Sequence, residues 1–429
     1  MTAVSEIHPK TVRGVTRVVR NAKSAAAHLA TSSTAEKDAG LRAIADALRE
    51  NSDRIVKANE VDIAAGIDNG MNAGLLDRLR LDHDRIEAIA TSVGTIIDLD
   101  DPVGNVVVGR VLPNGIRLTQ NRVPMGVIGA IYEARPNVTV DIAILALKAG
   151  NATVLRGGSA AQNTNTEIVS VLRKAVESAG LPADSINGID QYGRDGATVL
   201  MNARDYVDLL IPRGGAELIN TVVQESLVPV IETGIGNVHM FIDSSATVKN
   251  SVDLVVNSKT HRPSVCNSLE TLLVHEKAAK RVLPKILDRL DKAGVVLHAD
   301  TTVAALAPET MKVKRVSRRD WAKEYLDLEL AVKVVSGIDE AIEHIRAYSS
   351  GHTEVIVTKD LDNAETFVTA IDAAAVGVNV STRFTDGGEL GFGAEVGIST
   401  QKLHARGPMG VEQLTTTKWV MIGNGQIRN

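Results

Sequence analysis

Cys266 is the only cysteine of the chain and lies in a polar segment, Ser258-Lys259-Thr260-His261-Arg262-Pro263-Ser264-Val265-Cys266-Asn267-Ser268. A cysteine attacks carbonyl carbon as its thiolate, which positive neighbours favour. Lys259, His261 and Arg262 are the neighbours able to supply that charge. The plainer reading is a small buried side chain, because free cysteine is among the most buried residue types. A carboxylate, Glu232, precedes Thr233-Gly234-Ile235-Gly236-Asn237. An acid at the end of a strand in a parallel sheet is placed to act as a general base or to touch a cofactor. It can equally cap the next turn. The glycines after it let another group approach the backbone closely.

Two turns pair an arginine with glycines: Arg156-Gly157-Gly158-Ser159 and Arg213-Gly214-Gly215. Neither is a Walker loop and neither fits G-x-G-x-x-G. Each sets an arginine and backbone amides where a helix begins, a place that favours anions. Arginine suits a phosphate through bidentate contact, so two such turns suggest NADP(H) with its extra 2′-phosphate. An ordinary strand–helix turn uses glycine as well. Asn137, in Tyr132-Glu133-Ala134-Arg135-Pro136-Asn137, can cap the following helix or donate to an oxyanion. Ser349-Ser350-Gly351-His352-Thr353-Glu354 joins a turn to several polar groups, and a glycine-rich stretch runs from Thr382 to Gly393. Long irregular loops in compact domains tend to carry function. The histidines are scattered around a single thiol, so no metal-ligand spacing is present and no metal is expected.

These residues need elements to hold them. Helical spacing covers Lys10–Ala30, Thr34–Asn51, Asp53–Ile67 and Leu81–Leu99. The period then changes to two β-like runs, Val106–Val111 and Ile116–Val123, with Asn114-Gly115 as the turn between them. Such a hairpin reaches across a subunit interface or packs on its own domain. From Met125 strands and helices alternate: Met125–Tyr132, Val138–Ala149, Ala152–Leu155, Thr164–Ala179, Tyr206–Ile211, Ala216–Glu225 and Val228–Ile231. A second alternating region follows Gly236, with a strand at Met240–Ile242, a helix at Val248–Ser258, a strand at Leu269–His275 and a helix at Glu276–Lys292. Repeated strand–loop–helix units predict parallel sheets covered by helices. Thr385–Gly410 reads as irregular, and Lys418–Ile422 as a last short run.

The 429 residues are enough for two or three domains. Hydrophobic residues at 44% and charged residues at 23% place the chain among globular proteins. A net charge of −5 with scattered Lys and Arg speaks against a nucleic-acid-binding face. The polar start, Met1–Lys10, has no apolar core of a signal peptide, and no run approaches a membrane span. With a single thiol, the cytoplasm is the expected compartment.

The order of these pieces resembles the aldehyde dehydrogenase superfamily: a strand and Asn137, a strand and Arg156-Gly157-Gly158-Ser159, then Arg213-Gly214-Gly215, Glu232-Thr233-Gly234 and Cys266. The interval from Glu232 to Cys266 looks like that between the family's general-base glutamate and its nucleophile. The stretches Tyr132–Thr139, Lys259–Asn267, Gly351–Glu354 and Gly391–Lys402 resemble the branch that reduces an acyl phosphate. The resemblance implies an α/β fold with a Rossmann-type cofactor domain (1–104 and 125–236), an α/β catalytic domain (237–384) and a small β oligomerisation element (105–124 and 385–429). It implies NADPH-dependent reduction of L-glutamyl 5-phosphate to L-glutamate 5-semialdehyde and phosphate, the second step of proline biosynthesis from glutamate.

By the same resemblance Cys266 is the nucleophile that forms a thioester, and its N–H together with Asn137 holds the thioester oxygen. Glu232 is an active-site residue, as base or as cofactor contact. Arg156, Gly157, Ser159, Arg213, Gly214, Gly215, Thr233 and Gly234 line the cofactor site. The family's acid for the cofactor ribose has two counterparts in range, Asp327 and Glu329. Charge and location make Arg135, His261, Arg262 and Arg383 the candidates for the substrate's carboxylate and phosphate. The implied partners are a small-molecule substrate and further copies of the chain, as a dimer or tetramer, and the pathway raises a contact with glutamate 5-kinase. A sister acyl reductase, a semialdehyde dehydrogenase that needs no phosphate, and a scaffold that has lost catalysis are the rival readings. The intact Cys266, Glu232 and Asn137 speak against the last.

Overall fold

The computed structural model describes Val4 and residues 6–428, so part of the polar start Met1–Lys10 lies outside the described residues. The chain divides into two compact units. Unit 1 is Met1–Thr233 with Gly391–Gly397 and Met409–Asn429; unit 2 is Gly234–Leu390 with Ile398–Pro408. The division between them falls at Thr233/Gly234 rather than at 236/237.

Unit 1 opens with helices α1 (Pro9–Leu29), α2 (Thr34–Glu50), α3 (Ser52–Asp68), α4 (Ala73–Leu79) and α5 (His83–Ile97). In α1, Val15, Val19, Ala22, Ala26 and Leu29 recur at helical spacing and are buried. Ser33 starts α2 with a capping box: its hydroxyl accepts from Glu36 N–H, and its own N–H donates to Glu36 Oε2 at 2.7 Å. Strands β1 (Val106–Val111) and β2 (Arg117–Pro124) form the expected hairpin, with Gly115 at φ +85° in the turn. Then come β3 (Val127–Tyr132), α6 (Pro136–Lys148), β4 (Ala152–Arg156), α7 (Gln162–Ser178), β5 (Ile186–Gly188), α8 (Gly193–Met201), β6 (Leu209–Arg213) and α9 (Ala216–Glu225). The sheet is parallel in the order β5-β4-β3-β6. This is the order of half a Rossmann fold, whose switch point lies between β3 and β6. Helix α6 is buried nearly all round, and Lys148 at its end is neutralised by Asp38 at 2.8 Å. The expected strand Val228–Ile231 is reduced to one bridge, Val230 to Leu210, because Pro229 has no N–H to give a ladder.

Unit 2 contains β7 (Val238–Ile242), α10 (Val248–Thr260), β8 (Leu269–His275), α11 (Glu276–Lys292), β9 (Val296–Ala299), α12 (Thr301–Ala304), β10 (Val313–Arg315), β11 (Glu329–Val335), α13 (Ile338–Tyr348), β12 (Thr353–Val357), α14 (Leu361–Ala370) and β13 (Ala375–Val378). Its seven strands are all parallel, in the order β10-β9-β11-β8-β7-β12-β13. Alternate side chains build two cores. Met240, Ile242, Leu272, Val274 and Val355 pack with Val282, Leu283 and Ile286, while Phe241, Leu273 and Ile356 pack with Ile345 and Phe367. Covered on both faces, β7 and β8 are buried at every residue, with His239, Glu270, Thr271 and His275 set among their apolar side chains.

The late segment 385–429 is shared between the units. Short strands β14 (Ile398–Ser399) and β15 (Gly407–Pro408) pair within unit 2, where Asp372 also binds Lys402 and Arg406. The last strand, β16 (Thr415–Ile422), returns to unit 1 and pairs antiparallel with β2. Among the described residues no helix is long and apolar enough to cross a membrane, and no group of three or more His, Cys, Asp or Glu side chains is placed to hold a metal ion.

Candidate active site

Cys266 lies on the loop before β8, at the amino edge of the seven-stranded sheet rather than at the carboxyl edge, where ligands of parallel sheets usually bind. Neighbouring strands send three more loops to the same edge: 234–237 before β7, 323–328 before β11 and 349–352 before β12. Hydrogen bonds join them. Gly236 N–H donates to Glu324 Oε1 at 2.8 Å, and burial raises the Glu324 carboxyl above its usual range. Asn237 Nδ2 donates to the carbonyls of Trp321 (2.8 Å) and Tyr348 (2.7 Å). Gly236 itself lies against Cys266, since a Cβ there would overlap the Cys266 carbonyl and come within 2.6 Å of its Cα.

The Cys266 loop is also anchored to the segment carrying Arg383. Asn267 Nδ2 donates to Thr385 O at 2.8 Å, and Thr382 Oγ1 donates to Asn267 O at 2.7 Å. Arg383 Nε reaches His261 Nδ1 at 3.4 Å, so two of the four candidate substrate residues are together in unit 2. Arg262, next to His261 in sequence, is exposed, whereas Arg135 belongs to unit 1. Lys259, one of the expected positive neighbours of the thiol, is committed elsewhere: it is fully buried and paired with Glu270 at 2.9 Å. Burial lowers the Lys259 pKa and pushes the Glu270 carboxyl up to about 7. Removing one partner leaves the other charge buried alone. Lys259→Met is therefore expected to destabilise the fold by about 3–5 kcal/mol in a denaturant titration.

In unit 1 the expected cofactor residues gather at the carboxyl ends of β4 and β6. Arg156 ends β4, and its Nε donates to Gly193 O at 3.3 Å. Partial burial lowers its pKa, an effect that Asp190 opposes. The Gly157 N–H donates to Asp190 Oδ1 at 2.7 Å, and a Cβ on Gly157 would overlap the Asn165 amide. Ser159 is exposed at the start of a short turn before α7. At the switch point the Gly215 N–H, at the start of α9, donates to Glu133 Oε1 at 2.9 Å. A Cβ on Gly214 would come within 2.7 Å of the same carboxyl carbon. The amides of Gly157 and Gly215 are thus already held by acids of the chain. Gly234 N–H is likewise given to Ile398 O at 2.8 Å.

Asn137 does not cap a helix. Pro136 takes the first turn of α6 and Arg135 the cap position, so Asn137 lies inside the helix and donates to Asp141 Oδ2 at 3.1 Å. Burial pushes the Asp141 carboxyl up to about 6, against the pull of the Arg213 charge. Thr233 Oγ1 donates to Pro212 O at 3.1 Å, and Gly397 lies against both Thr233 and Arg213. Glu232, half-buried, precedes Thr233, the last residue of the first segment of unit 1. Of the two acids considered for a cofactor ribose, Glu329 is bound by His298 Nε2 at 2.5 Å and Lys314 at 3.0 Å, while Asp327 Oδ1 accepts from Leu328 N–H. Gly397, Glu133 and Asp190 carry no signal of their own in the sequence. Gly236 does, through the glycines after Glu232.

The turn before β12 carries a buried histidine. His352 is fully buried, with Nδ1 2.8 Å from Thr353 Oγ1, and burial lowers its pKa to about 4. The sign follows from linkage. Below the ordinary histidine value of about 6.5 the unfolded chain takes up a proton that the folded chain refuses until about pH 4, so stability falls on acidification through that window. The expected loss from His352 is roughly 3 kcal/mol, and His344, lowered to about 3 by burial, adds in the same direction. Melting temperature against pH for His352→Gln should show a shallower acid slope than wild type.

Comparison with known proteins agrees with this architecture. The model of the aldehyde dehydrogenase family matches residues 1–319. The chain is 58% identical over 412 residues to a γ-glutamyl phosphate reductase of Clavibacter michiganensis subsp. michiganensis, covering 96% of this chain and 95% of the relative. It is 56% identical over 415 residues to the enzyme of that name from Kineococcus radiotolerans, covering 96% of each. The crystal structure of the γ-glutamyl phosphate reductase of Thermotoga maritima superposes with a TM-score of 0.93 at 46% identity, covering 97% of this chain and all of that one. The family model and these relatives, matched over nearly the whole chain, show that the chain belongs to the aldehyde dehydrogenase family and, within it, groups with the γ-glutamyl phosphate reductases.

Proposed function

We propose that the protein reduces L-glutamyl 5-phosphate to L-glutamate 5-semialdehyde and phosphate with NADPH, through a thioester on Cys266. The observation that carries the proposal is the chain's only thiol on a loop held through Asn267 to the segment of Arg383, with Arg383 also bonded to His261 of the same loop. The relatives that bear the name of this activity support it.

Cys266 Sγ attacks the acyl carbon, the bond from that carbon to the phosphate oxygen breaks, and phosphate leaves. The Cys266 N–H and the Asn137 amide are the assigned donors to the oxyanion. Asp141 accepts one hydrogen of that amide and so fixes which way Asn137 points. Arg383 and His261, with Arg262 and Arg135, are the groups assigned to the carboxylate and phosphate of the substrate.

A Rossmann-type sheet with Arg156 and Arg213 at its carboxyl edge and exposed Ser159 fits a nicotinamide dinucleotide phosphate held through side chains. When bound, that cofactor would supply hydride to the acyl carbon, and the bond from that carbon to Cys266 Sγ then breaks, releasing the aldehyde and returning the thiolate. Productive reduction requires that water stay away from the thioester. Glu232 is assigned to the cofactor side for that reason, not to activation of water. The exposed apolar residues Val106, Val111, Trp419 and Met421 of the three-stranded sheet are the proposed contact in a homo-oligomer. A reducing cytoplasm suits a reaction that depends on one free thiol.

The test is reduction of NADP by L-glutamate 5-semialdehyde with and without phosphate. A strict need for phosphate is expected. Turnover without phosphate would mean hydrolysis of the thioester, and would return Glu232 to the role of base.

A further inference from the structure

The loop that carries Cys266 is closed at its base by two charges withdrawn from water. Lys259, in the last turn of α10, and Glu270, in β8, meet at 2.9 Å with both side chains fully buried. An ion pair in such a place is a poor source of stability. Replacing both partners by uncharged side chains of similar volume is often neutral or stabilising, because desolvation offsets the attraction. What a buried pair does offer is a single geometry.

That geometry extends beyond the loop. Glu270 Oε1 also accepts from Leu326 N–H at 3.4 Å. Leu326 has φ +55°, a left-handed backbone that leucine rarely adopts and that its surroundings must hold in place. Two residues earlier, Glu324 accepts the N–H of Gly236, the residue packed on the Cys266 carbonyl. Asn267, Thr382 and Ser268 anchor the loop by uncharged hydrogen bonds, and Arg383 Nε adds a contact to His261 at its start.

We infer that the Lys259–Glu270 pair is a positioning device for the nucleophile: it joins the two ends of the 261–268 loop and so fixes where the Cys266 thiol and N–H stand during acyl transfer. The inference rests on the reading of Cys266 as the nucleophile. Neither residue touches substrate in this account; both act through the loop.

The discriminating variant is Lys259→Met/Glu270→Gln, which removes both charges, keeps the volumes and leaves an acceptor for Leu326. It is expected to melt within about 5 °C of wild type. Its kcat for phosphate-dependent oxidation of L-glutamate 5-semialdehyde is expected to fall about 10²-fold, the cost of a displacement near 1 Å at a reacting group, with KM for phosphate unchanged. A folded double variant with wild-type kcat would overturn the inference, and so would a change confined to KM. Should the double variant fail to fold, Glu270→Asp, which keeps both charges and draws the carboxylate back by one methylene, gives the same reading: reduced kcat with unchanged KM supports the inference, and wild-type kcat overturns it. Wild-type protein lacking phosphate-dependent activity would instead sink the proposed function, so the two failures are distinguishable.

Discussion

Cys266→Ser is expected to lower turnover in both directions by on the order of 10⁴-fold or more, with the fold intact. A serine hydroxyl stays protonated at neutral pH, and here it would replace a thiol whose thiolate is a strong nucleophile. The substitution exchanges one atom at a half-buried position, so the melting temperature should stay close to wild type. The two readings of a lone cysteine part here. A packing residue tolerates serine with little effect on rate, whereas a nucleophile does not. Steady-state rates with NADP, L-glutamate 5-semialdehyde and phosphate are the measurement, and a variant retaining a tenth of wild-type activity would remove Cys266 from the chemistry.

Gly236→Ala should produce the second largest loss. The added methyl would overlap the Cys266 carbonyl, a backbone group that cannot swing aside as the end of a side chain can. Either the 234–237 segment or the Cys266 peptide must move, and a displacement near 1 Å at a reacting group costs about 10²-fold in rate. Overpacking of this kind also destabilises, by about 1–3 kcal/mol. Gly94→Ala, inside α5, is the matching control: its Cβ meets nothing within 4 Å, so activity should be retained and stability kept or slightly raised. Equal activity of the two variants would mean that the loop accommodates the methyl without moving the thiol.

How much of this was legible in the sequence differs from residue to residue. The strands β7 and β8 were readable from their apolar triplets Met240–Ile242 and Leu272–Val274, because a sheet covered on both faces buries neighbouring side chains alike. The hairpin was readable because Asn114-Gly115 dictates its own turn. Cys266 stood out by its polar neighbours, and the glycines after Glu232 announced a close approach without naming the partner, which proves to be the carbonyl of Cys266. Helix α8 was missed because Gly193 and Gly196 look like a turn; the helix forms through burial of Ala197, Val199 and Leu200. Asn137 looked like a cap only until Pro136 was placed at the first turn.

The rest depended on partners distant in the chain. Lys259 reads as a positive neighbour of the thiol until folding sets Glu270 against it. Gly215 reads as an open anion site until Glu133, 82 positions away, arrives at the switch point of the sheet. Local pattern reports which groups are available, and only the sheet order decides which of them meet.

The central claim is a covalent acyl group on one thiol, and intact-protein and peptide mass spectrometry reads it directly. Protein is mixed with L-glutamate 5-semialdehyde and NADP in the absence of phosphate, quenched in acid and digested. The account predicts a glutamyl thioester on the peptide containing Cys266, discharged when phosphate is added before the quench and absent in Cys266→Ser. Turnover with no adduct on Cys266, or an adduct that forms equally in the Cys266→Ser variant, would contradict it.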